Sequence, residues 1–314
     1  MQQHAEAIDW PTRRVPNEPD EVYFQKALDV ATNSGLKVID TRSPMGYHHY
    51  ITNEDEEETT AAQSFGRAFH TSVLEPHKFF STYCVVPDDA PRKPTAAQWK
   101  AAKPSPQSVA DMDWWRNWMA TNQGREILTA KDYDMLAGMG ASARAAVWKI
   151  PDGNGGFVTI SGGELFDLCD KEVTYYWTDP KTGIKCKSRV DLDCPELAFG
   201  GDLKSCMDAS PEGFARSITT YRYHQQHAHY CDGRKIVTGM PWKNFLFFAV
   251  EKRKPYVPGL YQVDSMGEER GFERRDRAMA KLSYCLTESR WPPYRDTITE
   301  LALPAYEFFD SPQE

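Results

Sequence analysis

The sequence predicts an α/β protein, with a central mixed β-sheet flanked by helices and a helical N-terminal elaboration. Three observations carry this reading. Apolar residues recur at helical spacing up to about residue 150, and the period drops to two from residue 157. Next comes a meander of short strands, "FVTIS", "EVTYYW", "GIKCKSRVDL" and "AFGGDLKS", with "TDPKTG" as a hairpin turn between the second and third. Finally, two further strands, "NFLFFAVEK" and "GLYQVDS", lie between long helical stretches, as expected of a sheet covered by helices.

In chain order, residues 1–22 are polar and contain proline, and read as a flexible arm. Residues 23–310 read as a single domain, mainly helical over 23–156 and sheet-containing over 157–310. "VYFQKALDVA" reads as a short helix, and the charge run "NEDEEETT" as a solvated loop. Ala62, Phe65, Phe69 and Val73 recur at helical spacing, and Pro76 closes that helix. Five prolines between 87 and 107 mark a loop, and two helices follow in which Trp114, Trp115 and Trp118 serve packing. A single helix is expected from Pro211 to Gly233, and a last one over "GEERGFERRDRAMAKLSYCLTES".

Composition narrows the class. The chain has 314 residues, 40% hydrophobic and 26% charged, which is ordinary for a soluble globular protein. No apolar run is long enough to span a bilayer, and the first residues lack the apolar core of a signal peptide, so a cytoplasmic protein without membrane contact is expected. The seven cysteines are scattered without a C-x-x-C pair, which suits reduced thiols rather than a disulfide framework, a zinc ribbon or an iron–sulfur cluster. A net charge of −8 speaks weakly against a nucleic-acid partner, but net charge says little about local charge.

The chemistry concentrates in "KSRVDLDCPELAFGGDLKS". Residues two apart on a strand share a face, so Asp202 and Lys204 project together and Leu203 faces the core. Asp191 ends the preceding strand, and the short "CPELAFGG" connection can bring the chain back antiparallel beside it. Two carboxylates held that close repel unless a cation lies between them. Hard oxygen ligands favour Mg²⁺ or Mn²⁺, which polarises a phosphate oxygen and lowers the pKa of a bound water. Lys204 would orient the attacking water or neutralise charge growing on the phosphate. Taken alone, the spacing also fits an Asp–Lys ion pair at a sheet edge. His70, on a helix well before the sheet, is either a structural residue or an imidazole for the same metal. Tyr223, Gln226 and Tyr230 share one helix face that can lie over the site. Glu172 begins a strand that hairpins onto the one ending at Asp191, beside the metal or in a structural role.

In order, G-x-A-x-H (66–70), E-x-x-x-x-W (172–177), K-x-R-x-D (187–191), D-L-K-S (202–205) and Q-x-x-x-Y (226–230) resemble the PD-(D/E)XK nuclease superfamily. More narrowly, they resemble the exonuclease VIII (RecE-type) nucleases of phages, relatives of lambda exonuclease and the RecB nuclease domain. The similarity runs from about residue 40 to "RWPPY" near 294, with Val190 where a proline is usual.

The resemblance implies a restriction-endonuclease-like core. It makes Asp191 and Asp202 metal-binding carboxylates, Lys204 the motif lysine, His70 and the Leu203 carbonyl further ligands, and Gln226 and Tyr230 the Q-x-x-x-Y element. Glu172 matches a family glutamate of underived role. The implied activity is Mg²⁺-dependent 5′-to-3′ digestion of linear double-stranded DNA, with two metals per site. It would leave 3′ overhangs for a phage single-strand annealing protein, within a trimeric or tetrameric ring. Arg42, Ser43, Arg67, Arg216 and Arg222 are candidate phosphate contacts. A structure-specific endonuclease or resolvase, or a non-catalytic DNA-end-binding protein, are the alternatives.

Overall fold

The computed structural model describes residues 10–53, 60–295, 297–304 and 307. The charge run at 54–59 and the first nine residues lie outside them. The elements in chain order begin with β1 (Arg13–Val15), α1 (Asp20–Tyr23), β2 (Val30–Ala31), α2 (Asn33–Thr41), α3 (Pro44–Thr52), α4 (Ala61–Leu74), α5 (Pro76–Thr82) and β3 (Tyr83–Val85). They continue with α6 (Ala96–Trp99), α7 (Pro106–Thr121), β4 (Glu126–Leu128), α8 (Ala130–Ala145), β5 (Val147–Pro151), β6 (Phe157–Ser161) and α9 (Gly162–Leu168). The sheet-rich part holds β7 (Asp170–Thr178), β8 (Lys185–Cys194), β9 (Phe199–Cys206), α10 (Pro211–Tyr221), α11 (Tyr223–Thr238), β10 (Asn244–Glu251), β11 (Pro258–Tyr261) and α12 (Ser265–Glu288).

The central sheet is mixed, in the order β1-β7-β8-β9-β10-β11, with β2 added to β8. β7, β8 and β9 are antiparallel neighbours, and β10 runs parallel to β9. Helices lie against it, making two cores. One gathers Val173, Tyr175, Trp177, Val190 and Phe247 with residues of α2, α11 and α12. The other gathers Leu192, Leu203, Leu246 and Phe248 with residues of α4, α8 and α9. Close helix approach depends on two glycines. A Cβ on Gly233 would sit 2.6 Å from the Trp177 ring, and one on Gly271 would sit 2.1 Å from the His224 carbonyl oxygen. The first lets α11 lie tightly on β7, and the second lets α12 lie tightly on α11.

Several sequence expectations need correction. Residues 10–22 are not a loose arm. β1 pairs with β7, Arg14 binds Asp193 at 2.8 Å, and Tyr176 Oη donates to Glu18 at 2.7 Å. "VYFQKALDVA" is not a helix but leads from the single turn α1 into β2. Its role is to cover the sheet, since Arg189 donates to Asp20 and to the Glu18 carbonyl and lies 4.1 Å over the Tyr23 ring. "FVTIS" is a strand outside the central sheet, pairing only with β5. The helix from Pro211 is broken at Arg222, whose backbone is left-handed at φ 59°, separating α10 from α11. The seven cysteines, as expected, are all free thiols.

Candidate active site

The site forms where β8 and β9 part. These strands pair over only three rungs, ending at Leu192–Gly201, and the same register carried one rung further sets Asp191 opposite Asp202. On the other side of β8, the rungs Lys171–Leu192 and Val173–Val190 bracket Glu172, setting it opposite Asp191. Glu172, Asp191 and Asp202 therefore occupy one row across three adjacent strands. The row is distorted. Glu172 has a left-handed backbone, with φ 50°. That region costs a residue with a Cβ about 1 kcal/mol or more. Val190 and Leu192, which strict alternation would put on one face, pack in different cores. The kink thus inverts the side-chain pattern of β8 at Asp191, and it opens the crevice that holds the carboxylates.

Each carboxylate is held. Asp191 is buried and accepts the Leu203 backbone N–H at 2.7 Å, so the amide that would have continued the β-ladder binds a side chain instead. His70 Nδ1 lies 3.3 Å from Asp191 Oδ2. The helix α4 delivers it: Thr60 and Gln63 form a capping box at the N-terminus, and Phe69 and Val73 anchor the helix in the second core. Asp202 accepts Gln226 Nε2 at its Oδ1, at 2.6 Å, and its Oδ2 pairs with Lys204. Tyr230, one turn beyond Gln226 on α11, is buried behind it. Lys204 lies 4.8 Å from the centre of the Tyr223 ring.

The electrostatics are those of a site built for a cation. Burial raises the Asp191 pKa to about 6, and the nearby Asp202 adds to the shift. Burial, then Asp191, pushes Glu172 well above the usual carboxylate range. Burial works against the charge on Lys204, but Asp202, Tyr223 and Asp191 overrule it and raise its pKa, so the amine holds its proton. His70, Glu172 and Asp191 each offer a ligand atom, all within 4.8 Å of one another. One imidazole nitrogen with two carboxylate oxygens suits a hard divalent ion.

The sequence-derived set thus divides. His70, Glu172, Asp191, Asp202, Lys204, Gln226 and Tyr230 converge, with Leu203 contributing its amide N–H to Asp191. Three of the five phosphate-contact candidates are ion-paired with acids outside the carboxylate row. Ser43 is buried as the N-cap of α3, accepting Gly46 N–H at 3.1 Å, next to an exposed Arg42. Arg67 pairs with Glu126 at 3.1 Å, Arg216 with Asp208 at 3.4 Å, and Arg222 with Asp40 at 3.1 Å. Tyr223 was legible only as part of a helix face, and Lys37 not at all. Burial and the charge of Lys204 lower the Lys37 pKa, which sets that amine at the border of the site.

The profile of the family described as "PDDEXK-like domain of unknown function (DUF3799)" matches residues 33–301, most of the chain. The protein is a member of the PDDEXK-like family. Its PD-(D/E)XK nuclease fold is shared with a crystal structure described as a "Putative exonuclease" from Eubacterium rectale. That structure aligns at a TM-score of 0.54 with 10% sequence identity, covering 92% of this chain and 97% of the other. No curated protein matches the sequence significantly. Among the described residues no helix is long and apolar enough to cross a membrane.

Proposed function

We propose that this chain is a divalent-metal-dependent exodeoxyribonuclease acting on linear duplex DNA. The reading rests on one observation: three carboxylates from adjacent strands lie in a single row, with the His70 imidazole 3.3 Å from the middle one, Asp191, and Lys204 paired with Asp202 at one end. Asp191, Asp202, Glu172 and His70 would hold Mg²⁺ or Mn²⁺, which when bound supplies Lewis-acid polarisation of the scissile phosphate. Lys204 stays charged and stabilises negative charge growing on the phosphate. Gln226 fixes the Asp202 carboxylate by donating to Oδ1, while Lys204 pairs with Oδ2. Tyr223 and Tyr230 wall the crevice and keep bulk water from screening these charges.

The resemblance to RecE-type nucleases extends the proposal. It favours 5′-to-3′ polarity, 3′ overhangs passed to an annealing protein in phage-type recombination, two metals, and a trimeric or tetrameric ring in the cytoplasm.

The test offers linear duplex labelled at either end, with and without a 5′-phosphate, and closed circular duplex, each with Mg²⁺, Mn²⁺ or a chelator. Metal-dependent loss of the 5′ label from linear DNA alone, abolished in folded Asp202→Ala and Lys204→Ala variants, is the expected result. Cutting of closed circles would replace the exonuclease with an endonuclease. Digestion by either variant at the wild-type rate would overturn the site. Light scattering of the purified protein checks the ring.

A further inference from the structure

A second charged feature lies outside the carboxylate row. On α12, Arg270, Arg274, Arg277 and Lys281 fall at spacings of four, three and four residues. At the rise of an α-helix they form one stripe about 16 Å long. Their neighbour Arg275 points inward and is consumed by Asp179, Asp232 and Asp276. The stripe is not consumed in this way. Arg274, Arg277, Lys281 and also Arg222 converge on one buried carboxylate, Asp40 of α2, at 3.4, 2.6, 3.9 and 3.1 Å. Four cations around one anion leave an excess of three positive charges. Arg277 and Lys281 keep 45% and 41% of their side chains in solvent, and Arg270, half exposed, pairs with the surface residue Glu273. One buried donor in this group, Arg274 Nε, has no hydrogen-bond acceptor. A protein of net charge −8 has gathered positive charge here beyond what its own acids neutralise.

The patch is joined to the active site by aromatic rings. Lys204 lies 4.8 Å from the Tyr223 ring, Tyr223 stacks on Tyr221 with centroids 5.7 Å apart, and Lys37 of α2 lies 5.7 Å from the Tyr221 ring. The left-handed turn at Arg222 makes this arrangement possible. It sends the Arg222 side chain inward to Asp40 while Tyr221, 53% exposed, stands out at the end of α10.

We propose that the basic surface where α12 packs beside α2 binds a single nucleic-acid strand leading away from the scissile phosphate, with its backbone on the α12 stripe and a base on Tyr221. The chemistry favours a single strand over a duplex, because an exposed ring can stack only on a base freed from its pair. The proposal rests on the nuclease reading for its direction, but the binding it describes can be measured without cleavage.

The experiment uses a fluorescent oligothymidylate of about 20 nucleotides in EDTA, titrated by anisotropy at several salt concentrations. The central variant is Arg270→Gln/Lys281→Gln, which leaves Arg222, Arg274 and Arg277 on Asp40. Its affinity is expected to fall about tenfold, and the slope of log affinity against log salt to shrink by about one unit or more. Tyr221→Ala is expected to lose about fivefold or more without a change in slope. Hydrolysis of bis(p-nitrophenyl) phosphate, too small to reach the stripe, should be the same in all three proteins, and melting temperatures confirm folding. Unchanged affinity and slope in the folded double variant would overturn the basic strand path, and unchanged affinity in Tyr221→Ala would overturn the single-strand assignment. Failure of the nuclease reading looks different: wild-type protein would show no metal-dependent cleavage while the binding losses remained.

Discussion

Gln226 Nε2 donates to Asp202 Oδ1 at 2.6 Å inside the protein, linking α11 to the central sheet at the site's acidic row. An amide can only orient a carboxylate; it brings no charge. Replacing Gln226 with Ala should therefore leave the fold intact and lower metal affinity and cleavage by about 10–100-fold, as lost outer-sphere hydrogen bonds do. Calorimetric titration with Mn²⁺ and the linear-duplex assay check this, and Gln226→Glu, adding a like charge beside Asp202, should do worse on cleavage than alanine.

Asp191 should make the metal-free protein less stable. Its folded pKa of about 6 exceeds the ordinary 3.8, so the folded state binds more protons between those values. Stability is therefore lost as pH rises through that window, and the full penalty remains above it. Asp191→Asn keeps an acceptor for the Leu203 amide and removes the charge. At pH 7 without metal it should gain about 1–3 kcal/mol in denaturant unfolding. Saturating Mg²⁺ should narrow the difference, because the ion stabilises only the wild type.

His229 acts in the opposite direction. Its Nε2–H donates to the Lys187 carbonyl at 3.1 Å, and burial lowers its pKa to about 3. The unfolded chain takes up a proton near 6.5 that the folded chain refuses, so stability falls as pH drops from 6.5 toward 3. At pH 5 the loss from this residue is about 2 kcal/mol. His227, whose pKa burial lowers to about 4, adds to it. Melting temperatures at pH 7 and 5 should show the decline. It should be steeper in Asp191→Asn, where the compensating carboxylate is gone.

Glu172 combines a left-handed backbone with a half-buried carboxyl group facing Asp191. Glu172→Gly relieves both, and should raise the stability of the metal-free protein by about 1 kcal/mol while weakening Mn²⁺ binding. A variant less stable than wild type would show that Glu172 holds the strand rather than the ion.

The strands were legible where the period of two was clean, and Asp191, Asp202 and Lys204 could be placed together from spacing alone. The left-handed kink at Glu172 was not legible, because "KEVTYY" carries no glycine or asparagine to announce it. Nor was the inversion at "VDLD", where a regular alternation in letters hides a change of face. The break at Arg222 escaped for the same reason: "TYRYHQQ" reads as unbroken helix, and only packing of Tyr223 toward Lys204 and of Arg222 toward Asp40 forces it. The partners of the basic candidates were not legible either. Arginine is easily found in a sequence, but Asp40, Glu126 and Asp208, which claim Arg222, Arg67 and Arg216, are distant from them in the chain or unremarkable beside them.

The family profile starts at residue 33, yet β1 and β2 precede it. A polypeptide trimmed to that boundary would expose the backbone edge of β7 and leave Asp193 without Arg14, and Arg189 without Asp20. Such a fragment is expected to misassemble edge to edge through the naked strand. The unit that folds is wider at its amino end than the unit that similarity recognises.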